Sequence, residues 1–216
     1  MPCLTVIVPV KPLEEGKSRL RPLLSPEERR TLNGMFLRRT LAVAEELAGT
    51  SSTIVVSRSE EVLMLAARRS MVALPEEPGC DLNGALEQAS RVARGRGATG
   101  ILILPVDLPL ATASVIGRVI ADHLSQTEPR CVLVSDHTGF GTNLLFQTPP
   151  ALERYSYGVG SLQLHRAAAE QAGLSTVIRR DPELAFDIDR PEDLIGWRAR
   201  MEGRPNELSL EHDVGA

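Results

Sequence analysis

Runs of Val, Ile and Leu recur along the chain at residues 4–8, 53–56, 71–74, 101–104 and 131–134. They are short and nearly free of polar side chains, which predicts strands covered on both faces. Between them, residues 26–47, 60–69, 84–94 and 113–124 carry apolar side chains at three- and four-residue spacing with charged residues opposite, the pattern of amphipathic helices. Strand and helix in alternation specify a mainly parallel sheet with helices on both faces, because a parallel neighbour needs a crossover long enough to hold a helix. After residue 134 the rhythm changes. The turn SDHTGFGTN leads straight into the apolar run 144–146, too close for a crossover, so a hairpin with a locally antiparallel strand is predicted. A helix over 161–172, a strand over 175–178 and a last helix opening at Pro191 complete the pattern. One domain over residues 1–203, followed by a frayed polar tail at 204–216, is the expected organisation.

Charge changes the picture only by exclusion. The 28 acidic residues slightly outnumber the 24 basic ones, and the arginines are interleaved with acids, so no basic block calls for a nucleic acid. Aromatic residues make up 3% of the chain, too few for a surface that stacks bases. Cys3, Cys80 and Cys131 are odd in number and far apart, matching neither a disulfide framework nor a zinc pattern, and a reducing cytoplasm is expected. The first apolar run is too short for a signal segment or a spanning helix, so neither export nor a membrane anchor is expected. The oligomeric state is left open, with a homodimer among the alternatives.

In open parallel sheets ligands bind beyond the carboxyl ends of the strands, which directs attention to the residues just after each apolar run. After the first comes VPVKPLEEGKSRL, where Lys11, Lys17 and Arg19, with Arg21 just beyond, surround Gly16 in a manner suited to a polyphosphate. The triplet Gly16-Lys17-Ser18 lacks the spacing of a Walker loop, and a merely solvated basic loop is the competing explanation. The run ILILPVDLPL ends in Asp107, placed to ligate a divalent cation, while Thr112 is the better cap for the following helix. In AFDIDRPEDL, period two sends Asp187 and Asp189 to one side and Ile188 to the core. Two like charges so close require a positive charge between them, and a metal shared with Asp107 would supply it; alternatively Asp189 caps the helix at Pro191. The glycine turns TGFGTN and YGVGS offer Thr142, Asn143, Gly158 and Ser161 as holders of an anion or carboxylate, using amides at a helix N-terminus, although Ser161 also suits a simple N-cap. Asp81 or Asn83 suits a cap, and Asn83 equally suits a contact to a nucleobase or ribose. His123, His137, His165 and His212 show no ligand spacing, and His165 alone is expected to face the pocket.

Taken together, VPVKPLEEGKSRL, LPVDLPL, GFGTNLL, YGVGSLQLH and FDIDRPEDL resemble, in order and spacing over nearly the whole chain, the guanylyltransferases of coenzyme F-420 biosynthesis, the archaeal CofC and bacterial FbiD proteins. The resemblance implies a GT-A-like nucleotidyltransferase fold and a reaction joining GTP to phosphoenolpyruvate, 2-phospho-L-lactate or 3-phospho-D-glycerate with release of pyrophosphate. It also implies Mg²⁺ on Asp107, Asp187 and Asp189, a phosphate contact for Lys17, and an acceptor held by Thr142 or Asn143 with Gly158 and Ser161. Two other readings stay in view. A transferase using CTP or a sugar phosphate is disfavoured because the first loop lacks a glycine cluster, and a non-catalytic nucleotide-sensing module would not need all three aspartates.

Overall fold

Alternation along the strands decides where each layer lies. The computed structural model describes residues 3–124 and 128–202, and its strands are β1 (Leu4–Pro9), β2 (Thr53–Ser57), β3 (Val72–Pro75), β4 (Gly100–Ile103), β5 (Arg130–Ser135), β6 (Thr142–Thr148) and β7 (Ser175–Arg179). They form one sheet in the order β3-β2-β1-β4-β6-β5-β7, in which β6 alone runs against its neighbours. Within β1, Val6 and Val8 enter the apolar cluster on one face and Ile7 the cluster on the other. The helices α1 (Pro26–Ala48), α2 (Glu60–Arg68) and α4 (Ala113–Leu124) cover the first face through Leu37, Val62 and Ile116. The helices α3 (Leu82–Gly95) and α5 (Ser161–Gln171) cover the second through Leu86 and Leu162. Burying each such Leu or Ile contributes about 1.5–3 kcal/mol.

Local signals set the helix starts. Ser25 accepts the Glu28 amide while Glu28 accepts the Ser25 amide, a full capping box, and Pro26 takes the first helical position. α3 begins earlier than the apolar periodicity predicts because Asp81 caps it by accepting the Gly84 amide at 2.9 Å. Thr112 caps α4 through the Val115 amide, as expected. The last helix, α6 (Pro191–Glu202), packs on the outer side of α1, where Trp197 meets Phe36 edge to face with ring centroids 5.4 Å apart. Ile188 is buried in the same cluster. The tail at 204–216 and His212 lie outside the described residues, as does the side chain of His123.

Candidate active site

The order of the strands places a crevice at one point. The chain winds outward from β1 through β2 to β3 and then returns to β4 on the other side of β1, so the loops after β1 and β4 part there. That crevice opens into a cleft of about 750 Å³ whose walls include Lys11, Lys17, Arg19, Asn83, Asp107 and Asp189. A separate depression of about 580 Å³ around Arg21 and Arg29 contains none of the other predicted site residues, so Arg21 is set apart from the basic group it was read with.

Lys17 is the centre of the cleft. Its side chain is 6% exposed, and its ammonium lies 3.4 Å from Asp107 Oδ2 and 3.6 Å from Asp189 Oδ1. Its backbone is left-handed, with φ 55°, a conformation that costs a residue with a Cβ and is held only where the surroundings impose it. Those surroundings are visible. Asn33 on α1 donates to the Leu13 carbonyl at 2.6 Å, and a Cβ added to the adjoining Gly16 would lie 2.5 Å from Asn33 Nδ2. The loop is therefore pressed onto α1, and Lys17 is turned inward between the two carboxylates.

The segment holding Asp187 and Asp189 is tied to the β4 loop by its backbone, the Ile188 amide donating to the Asp107 carbonyl at 3.1 Å. Asp189 does not cap α6. Asp193, in the first turn of α6, reaches back to accept the amides of Asp189 and Arg190 at 3.0 and 2.7 Å, and the Asp189 carboxylate faces Lys17 and, at 3.2 Å, Arg19. Asp187 sits deeper. Burial, then the charges of Asp107 and Asp189, raise its pKa above the usual carboxylate range, and its Oδ1 is buried without a hydrogen-bond partner among the described residues. His137, in the β5–β6 turn, brings Nδ1 to 3.6 Å from that oxygen. Sequence reasoning expected His165 to be the histidine that faces the pocket. His165 is instead fully buried, accepting the Ser156 amide at Nε2, which leaves its Nδ1–H to donate to Thr142 Oγ1 at 3.0 Å.

Asp107, Asp187 and Asp189 thus gather at one edge of the sheet, but they do not form a ready-made cage. Among the described residues no group of three or more His, Cys, Asp or Glu side chains is arranged to hold a metal ion. The Lys17 ammonium supplies part of the positive charge that these like charges need, at Asp107 and Asp189 but not at Asp187. The donor chemistry nonetheless suits a hard divalent cation, with three carboxylates from two adjacent segments and one buried oxygen left unpaired.

The remaining predicted residues fall into two places. Asn83 faces the cleft but does not cap α3, because its side chain exchanges hydrogen bonds with the Tyr157 backbone at 2.7 and 3.2 Å. Thr142 and Asn143 open β6, and since β6 runs backwards its start lies at the same edge as the end of β4. Asn143 donates to the Leu184 carbonyl, and Ser161 Oγ accepts the Thr142 amide at 2.9 Å, so Ser161 braces the turn while Gly160 stands at the helix cap. The first-turn amides of α5 are not free for an anion as expected, since those of Ser161 and Leu162 already donate to Gly158 and Phe140 carbonyls. Gly158 is exposed, with φ 137°, which only glycine adopts readily.

This geometry can be set beside known proteins. The family described as guanylyl transferase CofC like matches residues 4–204. The chain is 39% identical to a phosphoenolpyruvate guanylyltransferase of Sphaerobacter thermophilus, covering 87% of this chain and 89% of that protein. It is 33% identical to a 2-phospho-L-lactate guanylyltransferase of Methanothermobacter thermautotrophicus, covering 87% and 81%. In fold it resembles a nucleotidyl transferase from Methanothermobacter, with a TM-score of 0.64 at 15% identity over 93% of this chain and 98% of that one. It likewise resembles the 4-diphosphocytidyl-2C-methyl-D-erythritol synthase of Anaerococcus prevotii, with a TM-score of 0.62 at 10% identity over 93% and 96%. The architecture is the GT-A-like nucleotidyltransferase fold, mostly parallel with one antiparallel strand. Among the described residues no helix is long and apolar enough to cross a membrane.

Proposed function

The chain belongs to the CofC-like guanylyl transferase family, and we propose that it joins GTP to a small phosphorylated carboxylic acid, releasing pyrophosphate. The observation that carries this reading is the placement of Lys17 between Asp107 and Asp189 across the crevice of the sheet, where a cation and carboxylates together meet a nucleotide's phosphates. A phosphate oxygen of the acceptor attacks the α-phosphorus of GTP in line; the new oxygen–phosphorus bond forms as the bond to the β-phosphate oxygen breaks. The attacking oxygen is already anionic, so no strong general base is required. Lys11, Lys17 and Arg19, all lining the cleft, hold the phosphates and stabilise the charge that builds on the departing pyrophosphate.

Mg²⁺ belongs to this reading: Asp107, Asp187 and Asp189 would hold it, and its chemistry would be neutralisation of phosphate charge. The unpaired Asp187 oxygen and the mutual repulsion of the three carboxylates support that assignment. The acceptor would lie toward β6, near Thr142, Asn143, Gly158 and Ser161, with phosphoenolpyruvate, 2-phospho-L-lactate and 3-phospho-D-glycerate as the candidates and coenzyme F-420 biosynthesis as the setting. The test is pyrophosphate release from GTP with each acceptor in turn, repeated with CTP, with ATP and without Mg²⁺, on the natural protein and on Asp107→Asn. Turnover that needs GTP, one phospho-acid and Mg²⁺, and that is largely lost in a folded Asp107→Asn protein, is the expected result. Preference for CTP would move the chain to the cytidylyl class of transferase, and nucleotide binding without turnover would make it a sensing module.

A further inference from the structure

The cleft is longer than its phosphate end requires. From Asp107 after β4 it runs past β1 and β2 to the residue that follows β3, the outermost strand on that side. At about 4.8 Å between strands this is a span of roughly 14 Å, comparable with the reach of a nucleotide from a metal on its phosphates to the far edge of its base. The residue at that far end is Glu76.

Glu76 is an unusual surface acid. Its backbone is fixed by its amide donating to the Ser57 carbonyl at 3.0 Å, and its side chain is only 12% exposed. Among the described residues its carboxylate receives no hydrogen bond; the nearest cation is Arg58, 3.9 Å away through Nη1, whose Nη2 is already committed to Glu15. Burial raises its pKa, with the Arg58 charge acting in the opposite direction. The side chain of Leu82 at the start of α3 lines the same cleft and remains substantially exposed, and so offers an apolar wall to an aromatic ring. A largely enclosed carboxylate that receives no hydrogen bond among the described residues and has only the distant Arg58 as ionic partner, beside an apolar wall, is the complement of a planar group that presents two adjacent N–H donors.

Guanine presents that pair on its Watson–Crick edge, N1–H and the 2-amino group. Adenine and cytosine place a bare ring nitrogen toward the same carboxylate, which repels it. We infer that Glu76 is the specificity residue that selects guanine, accepting N1–H and N2–H on its two oxygens while the base lies against Leu82. The inference rests on the guanylyl-transfer reading above and assigns its base-reading residue. Asn83, whose amide is held by the Tyr157 backbone, is left to border the sugar.

The decisive comparison uses xanthine, in which a carbonyl replaces the 2-amino group. In Glu76→Gln the side-chain amide would donate to that carbonyl while its oxygen still accepts N1–H. Calorimetric titration of the natural protein and Glu76→Gln with GDP and XDP needs no turnover, and kcat/KM with GTP and XTP adds the kinetic counterpart. The expected result is a reversal, GDP weakening and XDP strengthening, with the XDP-to-GDP preference shifting on the order of 100-fold or more, since a site built to pair with a group strongly rejects its absence. Natural protein should also bind IDP, which lacks the 2-amino group, at least ten-fold more weakly than GDP, a measurement independent of how the variant folds. Equal losses for GDP and XDP in Glu76→Gln, or equal affinity of the natural protein for GDP and IDP, would overturn the assignment and leave Glu76 as a partner of Arg58. Guanylyl transfer itself is judged separately, by GTP turnover in the natural protein.

Discussion

Lys17 allows backbone and charge to be tested apart. Its left-handed conformation, φ 55°, costs a residue with a Cβ roughly 1–2 kcal/mol that glycine does not incur. Glycine instead gains unfolded-state freedom worth about 0.4–1 kcal/mol. Its ammonium, 3.4 and 3.6 Å from two carboxylates, would interact by about 5 kcal/mol with each at an effective dielectric constant of 20. Asp107 and Asp189 are one-third and nearly one-half exposed, however, and solvent screening reduces such pairs to about 1 kcal/mol apiece. Lys17→Ala is therefore expected to lose about 1–2 kcal/mol in urea denaturation, and Lys17→Gly to be about 0.5–1 kcal/mol more stable than Lys17→Ala. Both should lose GTP-dependent pyrophosphate release on the order of 10²–10³-fold, the usual scale for removing one preorganised donor of charge stabilisation. A glycine variant less stable than the alanine variant would refute the claim of strain, and a glycine variant that keeps full turnover would refute the role of the ammonium.

Two further outcomes are expected. Burial lowers the His165 pKa to about 4 from an ordinary 6.5, so the unfolded chain binds a proton more readily between those values; stability should be fully present above pH 6.5 and fall by about 3 kcal/mol as the pH drops to 4. Chemical denaturation across that window measures it, and a His165→Gln protein with the same pH slope would refute the assignment. Ile188→Ala, removing a fully buried side chain between Asp187 and Asp189, should cost about 2–5 kcal/mol and also weaken turnover, whereas a loss of stability below 1 kcal/mol would show that the segment is not anchored there.

Much of this fold was legible in the sequence because its strands are short apolar blocks and α1, α3 and α4 begin with side-chain caps. The reversed strand β6 was legible for a negative reason: too few residues separate it from β5 for a helix to intervene. Asp107, Lys17 and Asp189 could be picked out as polar residues in the segments that follow apolar runs, yet that the lysine itself would stand between the aspartates could not, since this depends on a left-handed residue in a loop held by Asn33 from another element. The alternative role of Asp189 as a cap for α6 could not be decided from the sequence for a similar reason. Asp193 accepts the Asp189 and Arg190 amides, while Lys17 and Arg19, from a distant part of the chain, engage the Asp189 carboxylate. His137 was passed over because spacing rules look for neighbours along the chain, whereas it meets Asp187 across a turn. Glu76 carried no motif at all; its position one residue beyond β3, at the carboxyl edge of the sheet, was the available signal.

The hydrogen bond from the Ile188 amide to the Asp107 carbonyl joins a segment made earlier in synthesis to one made much later. A nascent chain can therefore pair β1 to β4 and shape the outer part of the cleft while Asp187 and Asp189 are still inside the ribosome. The three carboxylates of the proposed site can meet only after translation has delivered that later segment.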